Sequence, residues 1–240
     1  MVELLRTEKL TKSFRGLVAN DDIDFTIEAG ELRCIIGPNG AGKTTFISMV
    51  SGHETPTAGT IWFKGGNITG LPVHRIARMG VVRKFQTPTV FSNLLVYANI
   101  ELAVLARNCP ARERRARVLE TLDLVRLSDV VDQPVGSLSH GQRQWLEIGM
   151  LLANQAELLL LDEPTAGMTA EETHSTGELV RRLVRDLNLS AIIIEHDINF
   201  IRDLRSPVTV LHLGRVLMEG SFEEIAANKE VRAVYLGEQE

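Results

Sequence analysis

The stretch that decides the fold is "ELRCIIGPNGAGKTTFISMV", residues Glu31–Val50. It joins a short apolar run, a glycine-rich turn and a segment with the composition of a helix. Within it, "GPNGAGKT" at residues 37–44 fits the pattern G-x-x-x-x-G-K-[ST]. A strand before this pattern and a helix after it are the context that marks a phosphate-binding loop. The sequence therefore predicts a P-loop nucleotide site at the end of a buried strand.

The residues of this loop are expected to act through different chemical groups. The glycines let the backbone curl, so that successive N–H groups face the phosphates. Lys43 supplies a cation for the β- and γ-phosphates, and Thr44 offers a hydroxyl to Mg²⁺. The predicted nucleotide-binding set is Gly37, Pro38, Asn39, Gly40, Ala41, Gly42, Lys43, Thr44 and Thr45.

Further candidates stand where other predicted strands end. "LLLLDEP" at 158–164 buries a strand from which Asp162 emerges, where a carboxylate can hold the Mg²⁺ shell. Glu163 follows and is predicted to polarise the attacking water as a general base. His196 ends the strand "AIIIEH" at the same sheet edge and can reach a γ-phosphate. Gln86 can complete the metal shell and sense the γ-phosphate.

The order of patterns along the chain predicts an α/β fold, a RecA-like P-loop NTPase core with a mostly parallel sheet. Short β-rich segments at the start predict an antiparallel N-terminal part. Apolar residues at helical spacing between the two halves of the core predict an inserted helical subdomain. The chain is read as a single domain, with its core at 1–87 and 155–240 and the helical subdomain at 88–154.

Composition excludes several classes of protein. The chain has 240 residues and a formal net charge of -5, which disfavours a nucleic-acid surface because phosphate contacts need clustered Lys and Arg. Cys34 and Cys109 form no disulfide framework, which favours a reducing compartment. No signal peptide is expected, and no apolar run approaches the roughly 20 residues that span a bilayer. Any membrane role is therefore expected to come through partner chains.

A second phosphate-facing helix start is predicted in "SLSHGQRQWLEIGMLL", residues Ser137–Leu152. Ser139 is expected to cap this helix, with Gly141 and Gln142 in its first turn, where backbone N–H groups point outward. The P-loop already supplies such a site far upstream. Two anion-binding helix starts in one small chain need an explanation.

Together these motifs resemble the ATP-binding subunit of ABC transporters over essentially the whole chain. "GPNGAGKTT" is similar to the Walker A motif and "LLLLDEP" to Walker B with its catalytic glutamate, which implies ATP and Mg²⁺ as cofactors. "LSHGQ" at 138–142 is similar to the family signature L-S-G-G-Q, and "TAGM" at 165–168 to the D-loop region. Gln86 matches the Q-loop, and His196 matches the switch histidine. Phe14 falls where an aromatic ring stacks on adenine in this family.

The resemblance also implies why two helix starts occur. Two such subunits pack head to tail, so that Ser139, Gly141 and Gln142 of one subunit cap the γ-phosphate of the ATP held by the other. The second subunit is expected to be a paralogous ATPase in the transporter, and a homodimer is the alternative for the isolated chain. His140 replaces the usual glycine of the signature, and we expect its side chain to point to solvent.

Within this family, "SHGQ…WLEIGMLL", "RKFQTPTVF" and the tail "VYLGE" resemble the urea importer's ATPases most, a group within the branched-chain amino acid importer type. This implies two membrane permease subunits, a solute-binding protein reached indirectly, and a peripheral location on the cytoplasmic face of a bacterial-type inner membrane. The segment Thr87–Val96 is the expected docking surface for a permease helix.

Other functions stay open at this stage. A branched-chain amino acid importer differs only in its cargo. An ABC ATPase acting on DNA or ribosomes is a further alternative, although the chain has no long coiled-coil insertion and is net acidic. A P-loop kinase would leave the signature string without a role. The basic run "RERRAR" at 112–117 is interpreted as a solvated helix face, since Glu113 interrupts it.

Overall fold

The computed structural model describes residues 2–85 and 90–236. Its strands are β1 (Glu3–Phe14), β2 (Leu17–Glu28), β3 (Leu32–Ile36), β4 (Ala58–Phe63), β5 (Gly66–Asn67), β6 (Val81–Lys84), β7 (Leu158–Asp162), β8 (Ser190–Ile194), β9 (Val208–His212) and β10 (Arg215–Gly220). Its α-helices are α1 (Lys43–Val50), α2 (Val73–Arg78), α3 (Val96–Leu105), α4 (Ala111–Leu124), α5 (His140–Ala153), α6 (Ala170–Leu187), α7 (Ile198–Leu204), α8 (Phe222–Ala227) and α9 (Lys229–Val231). Short 3-10 turns cover Ser128–Val130 and Val135–Ser137, and a π-helical turn covers Arg232–Leu236.

A six-stranded sheet forms the centre of the molecule, in the order β10-β9-β3-β8-β7-β6. The neighbours from β9 to β6 are parallel, and β10 is antiparallel to β9. Both β7 and β8 are buried along their whole length, as parallel strands covered on two faces must be. The carboxyl ends of these parallel strands share one edge, where ligands of open α/β sheets bind.

The second sheet is antiparallel, with the order β2-β1-β4-β5. Its inner face packs with α1 against one side of the central sheet, in a cluster that includes Phe25, Phe46 and Phe63. The predicted α/β P-loop architecture with an antiparallel N-terminal part is therefore confirmed.

Helices α3, α4 and α5 lie between β6 and β7 in the chain. Their buried residues, among them Ile100, Val118 and Ile148, belong to the same hydrophobic cluster as Leu159 and Leu161 of the sheet. The predicted division at 88 and 154 stays a prediction, because the apolar packing is continuous across it. Among the described residues, no helix is both long and apolar enough to cross a membrane.

Candidate active site

The P-loop connects β3 to α1 and needs glycine at two of its positions. Gly37 has φ +148°, and a β-carbon there would lie 2.1 Å from the carbonyl oxygen of Leu211. Gly42 has φ +97°, and a β-carbon there would lie 2.4 Å from the carbonyl oxygen of Ala19. Side chains at both positions would therefore meet rigid backbone in a left-handed conformation. These glycines fix the curl of the loop before any ligand is considered.

Helix α1 begins directly after this loop and has no side-chain cap at Gly42. The first N–H groups of an α-helix have no partner within the helix. Thr44 and Thr45 lie in this first turn, and the other predicted residues, Pro38 to Ala41, lie in the loop before it. An anion is stabilised at such a helix start by the free N–H groups and the helix dipole.

Lys43 is buried, and its ammonium group donates hydrogen bonds to the loop itself. Nζ lies 2.7 Å from the carbonyl oxygen of Gly37 and 3.0 Å from that of Pro38. Burial lowers the pKa of Lys43, and the carboxylates of Glu163 and Asp162 oppose that shift. The structure thus brings this lysine close enough to interact electrostatically with Asp162, the last residue of β7, and with Glu163, which follows it.

Asp162 ends β7 and is almost completely buried. Its Oδ2 accepts a hydrogen bond from the Arg83 guanidinium at 3.1 Å, and Arg83 also donates to Ser48 Oγ at 2.7 Å. Burial raises the pKa of Asp162, while Arg83 and, more weakly, the Thr44 hydroxyl lower it. Arg83 was not among the residues singled out from the sequence, because an arginine in a strand carries no sequence signal of an ion pair 79 residues away.

The donor set at this edge fits a magnesium ion. Oδ1 of Asp162 is buried and accepts no hydrogen bond of ordinary geometry in the part of the chain that the structure describes. A buried carboxylate oxygen without a donor is suited to a hard cation, and Mg²⁺ usually takes one or two protein oxygens plus water and phosphate. No group of three or more His, Cys, Asp and Glu side chains is gathered for a metal within the described ranges. Gln86, the third predicted ligand, lies outside the described residues.

Glu163 and His196 meet at the carboxyl ends of β7 and β8. Glu163 Oε1 lies 3.4 Å from His196 Nε2, and each side chain is about one third exposed. Glu163 has φ +48°, and its N–H donates to the carbonyl oxygen of Ile194 at 2.9 Å. The pair is placed where both side chains can reach solvent at the ligand edge.

Glu195, which sequence reasoning missed, holds the segment that follows Glu163. It is buried, and its Oε1 accepts from the Thr165 N–H at 2.9 Å and from the Thr165 hydroxyl at 2.6 Å. The carboxylate therefore ties the "TAGM" segment to the end of β8. Its position directly before His196 was the only sequence signal for this role.

Phe14 lies at the end of β1 and is 40% exposed. The Lys12 ammonium lies 4.7 Å from the centre of its ring. The neighbouring strand β2 contacts the P-loop, since Asn20 Nδ2 donates to the carbonyl oxygen of Gly42 at 3.2 Å. An exposed ring on the hairpin beside the P-loop is suited to stacking on a planar base.

The signature helix α5 begins at a reciprocal cap, as the sequence predicted for Ser139. Ser139 Oγ accepts from the Gln142 N–H at 3.2 Å, and Gln142 Oε1 accepts from the Ser139 N–H at 3.0 Å. The Gln142 side chain is thus engaged in the capping box. In the described part of the chain, none of the hydrogen bonds of Ser139, Gly141 or Gln142 goes to the P-loop.

Three hydrogen bonds hold this helix start against the "TAGM" segment and α6. Glu172 Oε1 accepts from Ser139 Oγ at 2.9 Å and from the Gly141 N–H at 3.0 Å. His140 Nε2 lies 2.9 Å from the carbonyl oxygen of Ala166. Since a carbonyl oxygen only accepts, Nε2 carries the proton and donates it. The expectation that His140 points to solvent needs correction: the side chain is exposed, but its ring is hydrogen-bonded to the protein.

Comparisons with known proteins identify the family of the chain. The family described as "ABC transporter" matches residues 20–166, and the family described as "Branched-chain amino acid ATP-binding cassette transporter" matches residues 215–240. The high-affinity branched-chain amino acid transport ATP-binding protein BraF of Pseudomonas aeruginosa is 34% identical over 98% of both chains. LivG of Escherichia coli, which has the same description, is also 34% identical over 98% of both.

Solved structures give the same result. The ADP conformation of MJ1267, an ATP-binding cassette of an ABC transporter, superposes with a TM-score of 0.90. The two proteins are 27% identical, and the match covers 99% of this chain and 100% of the other. Sequence relatives and structural neighbours thus match the chain from end to end. The chain therefore belongs to the ABC transporter family and is an ATP-binding cassette that acts as an ATPase.

Proposed function

We propose that this chain is the ATP-hydrolysing subunit of a membrane importer for branched-chain amino acids. The observation that carries the cargo assignment is the end-to-end match to BraF and LivG, together with the C-terminal family match at 215–240. Urea, the cargo expected from the signature and tail strings, receives no support from these relatives. It is kept as the rival outcome of the transport experiment below.

Hydrolysis is proposed to occur at the edge where β3, β7 and β8 end. The P-loop residues 37–45 bind the phosphates of ATP, and Lys43 leaves the carbonyl oxygens of its own loop for the β- and γ-phosphates. Glu163 accepts a proton from the attacking water, a role that contributes about 10²- to 10⁴-fold in enzymes. His196, whose Nε2 lies 3.4 Å from Glu163 Oε1, contacts the γ-phosphate when ATP is bound. Phe14 stacks on the adenine ring.

Thr44, Asp162 and Gln86 are proposed to hold Mg²⁺. When bound, the ion neutralises phosphate charge during transfer. The support from this chain is the buried Asp162 Oδ1, which has no ordinary hydrogen-bond donor among the described residues. Arg83 occupies the other oxygen and so fixes which side of the carboxyl faces the ion.

The signature helix is proposed to work on a partner's nucleotide. Ser139 and Gly141 donate to Glu172 of α6, and Gln142 bonds to Ser139 within the capping box of α5. In the part of the chain that the structure describes, none of these bonds goes to the P-loop of the same subunit. Two subunits packed head to tail would let each signature helix bind the γ-phosphate held by the other. ATP then closes the pair, and loss of the γ-phosphate opens it.

The remaining partners are two permease subunits and, through them, a solute-binding protein, with this chain on the cytoplasmic face of the membrane. The proposed permease contact is the segment Thr87–Val96, of which residues 90–96 are described. Phe91, Leu94 and Leu95 expose 52%, 39% and 44% of their surface there. Apolar side chains gathered on the surface beside the Gln86 segment suit a protein contact.

Uptake of labelled leucine and labelled urea by a host strain that lacks this gene tests the cargo. The strain is complemented with the wild type or with Glu163→Gln. We expect leucine uptake to be restored only by the wild type, with urea uptake unaffected by the deletion. Restoration of urea uptake alone would replace the amino-acid assignment by the urea assignment. If neither solute responds, the importer assignment itself is contradicted for both cargoes.

A further inference from the structure

The carboxylate of Glu172 occupies the anion-binding face of the signature helix. Its Oε1 accepts from Ser139 Oγ and from the Gly141 N–H, at 2.9 Å and 3.0 Å. Its Oε2 accepts from the Thr169 N–H at 3.1 Å and from the Thr169 hydroxyl at 3.3 Å. One side chain thus joins the start of α5 to the start of α6 through four donors.

The environment of Glu172 favours its charged form. The pKa of this carboxyl is held below its ordinary value by the Thr169 and Gly141 backbone N–H groups and by the Ser139 hydroxyl. The Glu172 carboxylate also lies very close to the backbone of Gly141, because a β-carbon at Gly141 would be 2.9 Å from Glu172 Oε1. An anion with oxygen acceptors is therefore already bound where a phosphate is proposed to bind.

The two anions cannot use these donors at the same time. A serine hydroxyl has one hydrogen to donate, and a backbone N–H has one. Ser139 and Gly141 therefore donate either to Glu172 or to the γ-phosphate of a partner's ATP. A carboxylate that stayed beside an arriving phosphate would also repel it, since both are negative.

We propose that Glu172 is a positioning residue for the signature helix, which holds Ser139 and Gly141 until a partner's γ-phosphate displaces it. This inference rests on the proposed role of the signature helix in the dimer. Displacement of Glu172 by the γ-phosphate links ATP binding to α6 and to the segment between Glu163 and α6. The reason is that the Glu172 carboxylate also belongs to the capping box at the start of α6. Glu172 thereby sets the ATP concentration at which two subunits close.

The chain offers a matched control for the loss of a cap. Glu224 completes a capping box at the start of α8 with the same pattern of contacts: its Oε2 accepts from the Ser221 N–H at 2.7 Å and from Ser221 Oγ at 3.0 Å. In the described part of the chain, the hydrogen bonds of the Glu224 carboxylate go to Ser221 alone. Glu172→Ala and Glu224→Ala therefore remove the same kind of cap, but only Glu172→Ala releases the signature donors.

The experiment measures ATP-dependent dimer formation by analytical ultracentrifugation in the Glu163→Gln background, and ATPase rate against ATP concentration in the parent chain. Both are repeated on the transporter complex purified through a tag on this chain, so that a required paralogous subunit is present. Removing hydrogen bonds to a charged group is expected to lower the half-saturating ATP concentration at least about fivefold in Glu172→Ala. Glu224→Ala should leave it unchanged, and ATP affinity of the monomer should stay the same in both.

The outcomes separate this inference from the function on which it rests. If Ser139→Ala impairs closure but Glu172→Ala leaves the half-saturating concentration unchanged or raises it, only the Glu172 inference is overturned. If Ser139→Ala has no effect on closure or turnover, the proposed role of the signature helix fails first. Glu172→Gln keeps the shape of the side chain but not its charge, so it should also lower the half-saturating ATP concentration, by less than Glu172→Ala does. If Glu172→Ala does not fold, Glu172→Gln is used in its place.

Discussion

The two phosphate-facing helix starts of this protein differ in what occupies them. Helix α1 begins at Gly42 with no side-chain cap, so its first N–H groups stay available for a phosphate. Helix α5 begins at Ser139 inside a complete capping box, and its free donors are taken by Glu172. The backbone donors of the first site have no side-chain cap, whereas those of the second are satisfied within the chain. This difference fits the proposal that the P-loop binds ATP in a single subunit, whereas the donors of the signature helix become available only when Glu172 is displaced.

The largest expected effect is on hydrolysis of the ATP that is bound at the P-loop. Glu163→Gln should leave ATP binding intact and lower hydrolysis at least about 100-fold, because the positioned base is lost. Steady-state phosphate release and equilibrium ATP binding measure the two quantities separately. A turnover rate near that of the wild type would contradict the assignment of Glu163 as the base.

The next prediction concerns ATP affinity of the monomer, which should depend on the P-loop and not on the signature helix. Lys43→Ala should weaken ATP binding by the monomer about tenfold or more, since a charge-assisted contact to the phosphates is removed. Isothermal titration at protein concentrations below dimer formation gives the affinity. Lys64→Ala is a suitable control, because Lys64 is half exposed in the turn after β4. Equal ATP affinity of Lys43→Ala and Lys64→Ala would contradict the proposal that Lys43 binds the phosphates in a single subunit.

Substitution of Ser139 at the start of α5 should affect turnover of the dimer and not ATP affinity of the monomer. Ser139→Ala is expected to leave ATP affinity of the monomer unchanged while turnover of the closed pair falls about tenfold, since one hydrogen bond to a charged group is lost. It also removes an N-cap, at about 1 kcal/mol of stability. Thermal unfolding separates the cap effect from the loss of turnover. A drop in monomer ATP affinity would mean that the signature helix serves its own P-loop.

The smallest expected effect is the pH dependence of the stability that Glu172 contributes at the start of α5. The pKa of Glu172 is lower in the folded chain than its ordinary value, so its stabilising contribution is complete above that ordinary value and is lost as pH falls through the folded-state pKa. The difference in Tm between wild type and Glu172→Ala should therefore shrink as pH is lowered below about 4. A difference that is constant from pH 7 to pH 3 would show that the carboxylate charge does not stabilise the fold.

Most of the fold followed from local patterns. The P-loop motif, the apolar run Leu158–Leu161 and the cap at Ser139 each predicted an element that the structure contains. These signals are readable because burial, helix capping and glycine geometry act within a few residues. The assignment of ATPase activity was confirmed by the same family comparisons that leave urea without support.

Contacts distant in sequence were not predicted. Arg83 of β6 pairs with Asp162 at the end of the neighbouring strand β7. Glu195, directly after β8, holds Thr165 in the loop after β7. Glu172 carried only the capping-box pattern with Thr169, which says nothing about the signature helix.

By itself, the sequence determined a nucleotide-binding loop at the end of a buried parallel strand, because glycine spacing and buried strands are local properties of the chain. The tertiary structure alone decided what faces the signature helix: α6 brings Glu172 to Ser139 and Gly141, 33 and 31 residues apart in sequence. Hydrogen bonds are formed in space and depend on packing, so the sequence could name the donors of the second site but not the carboxylate that occupies them.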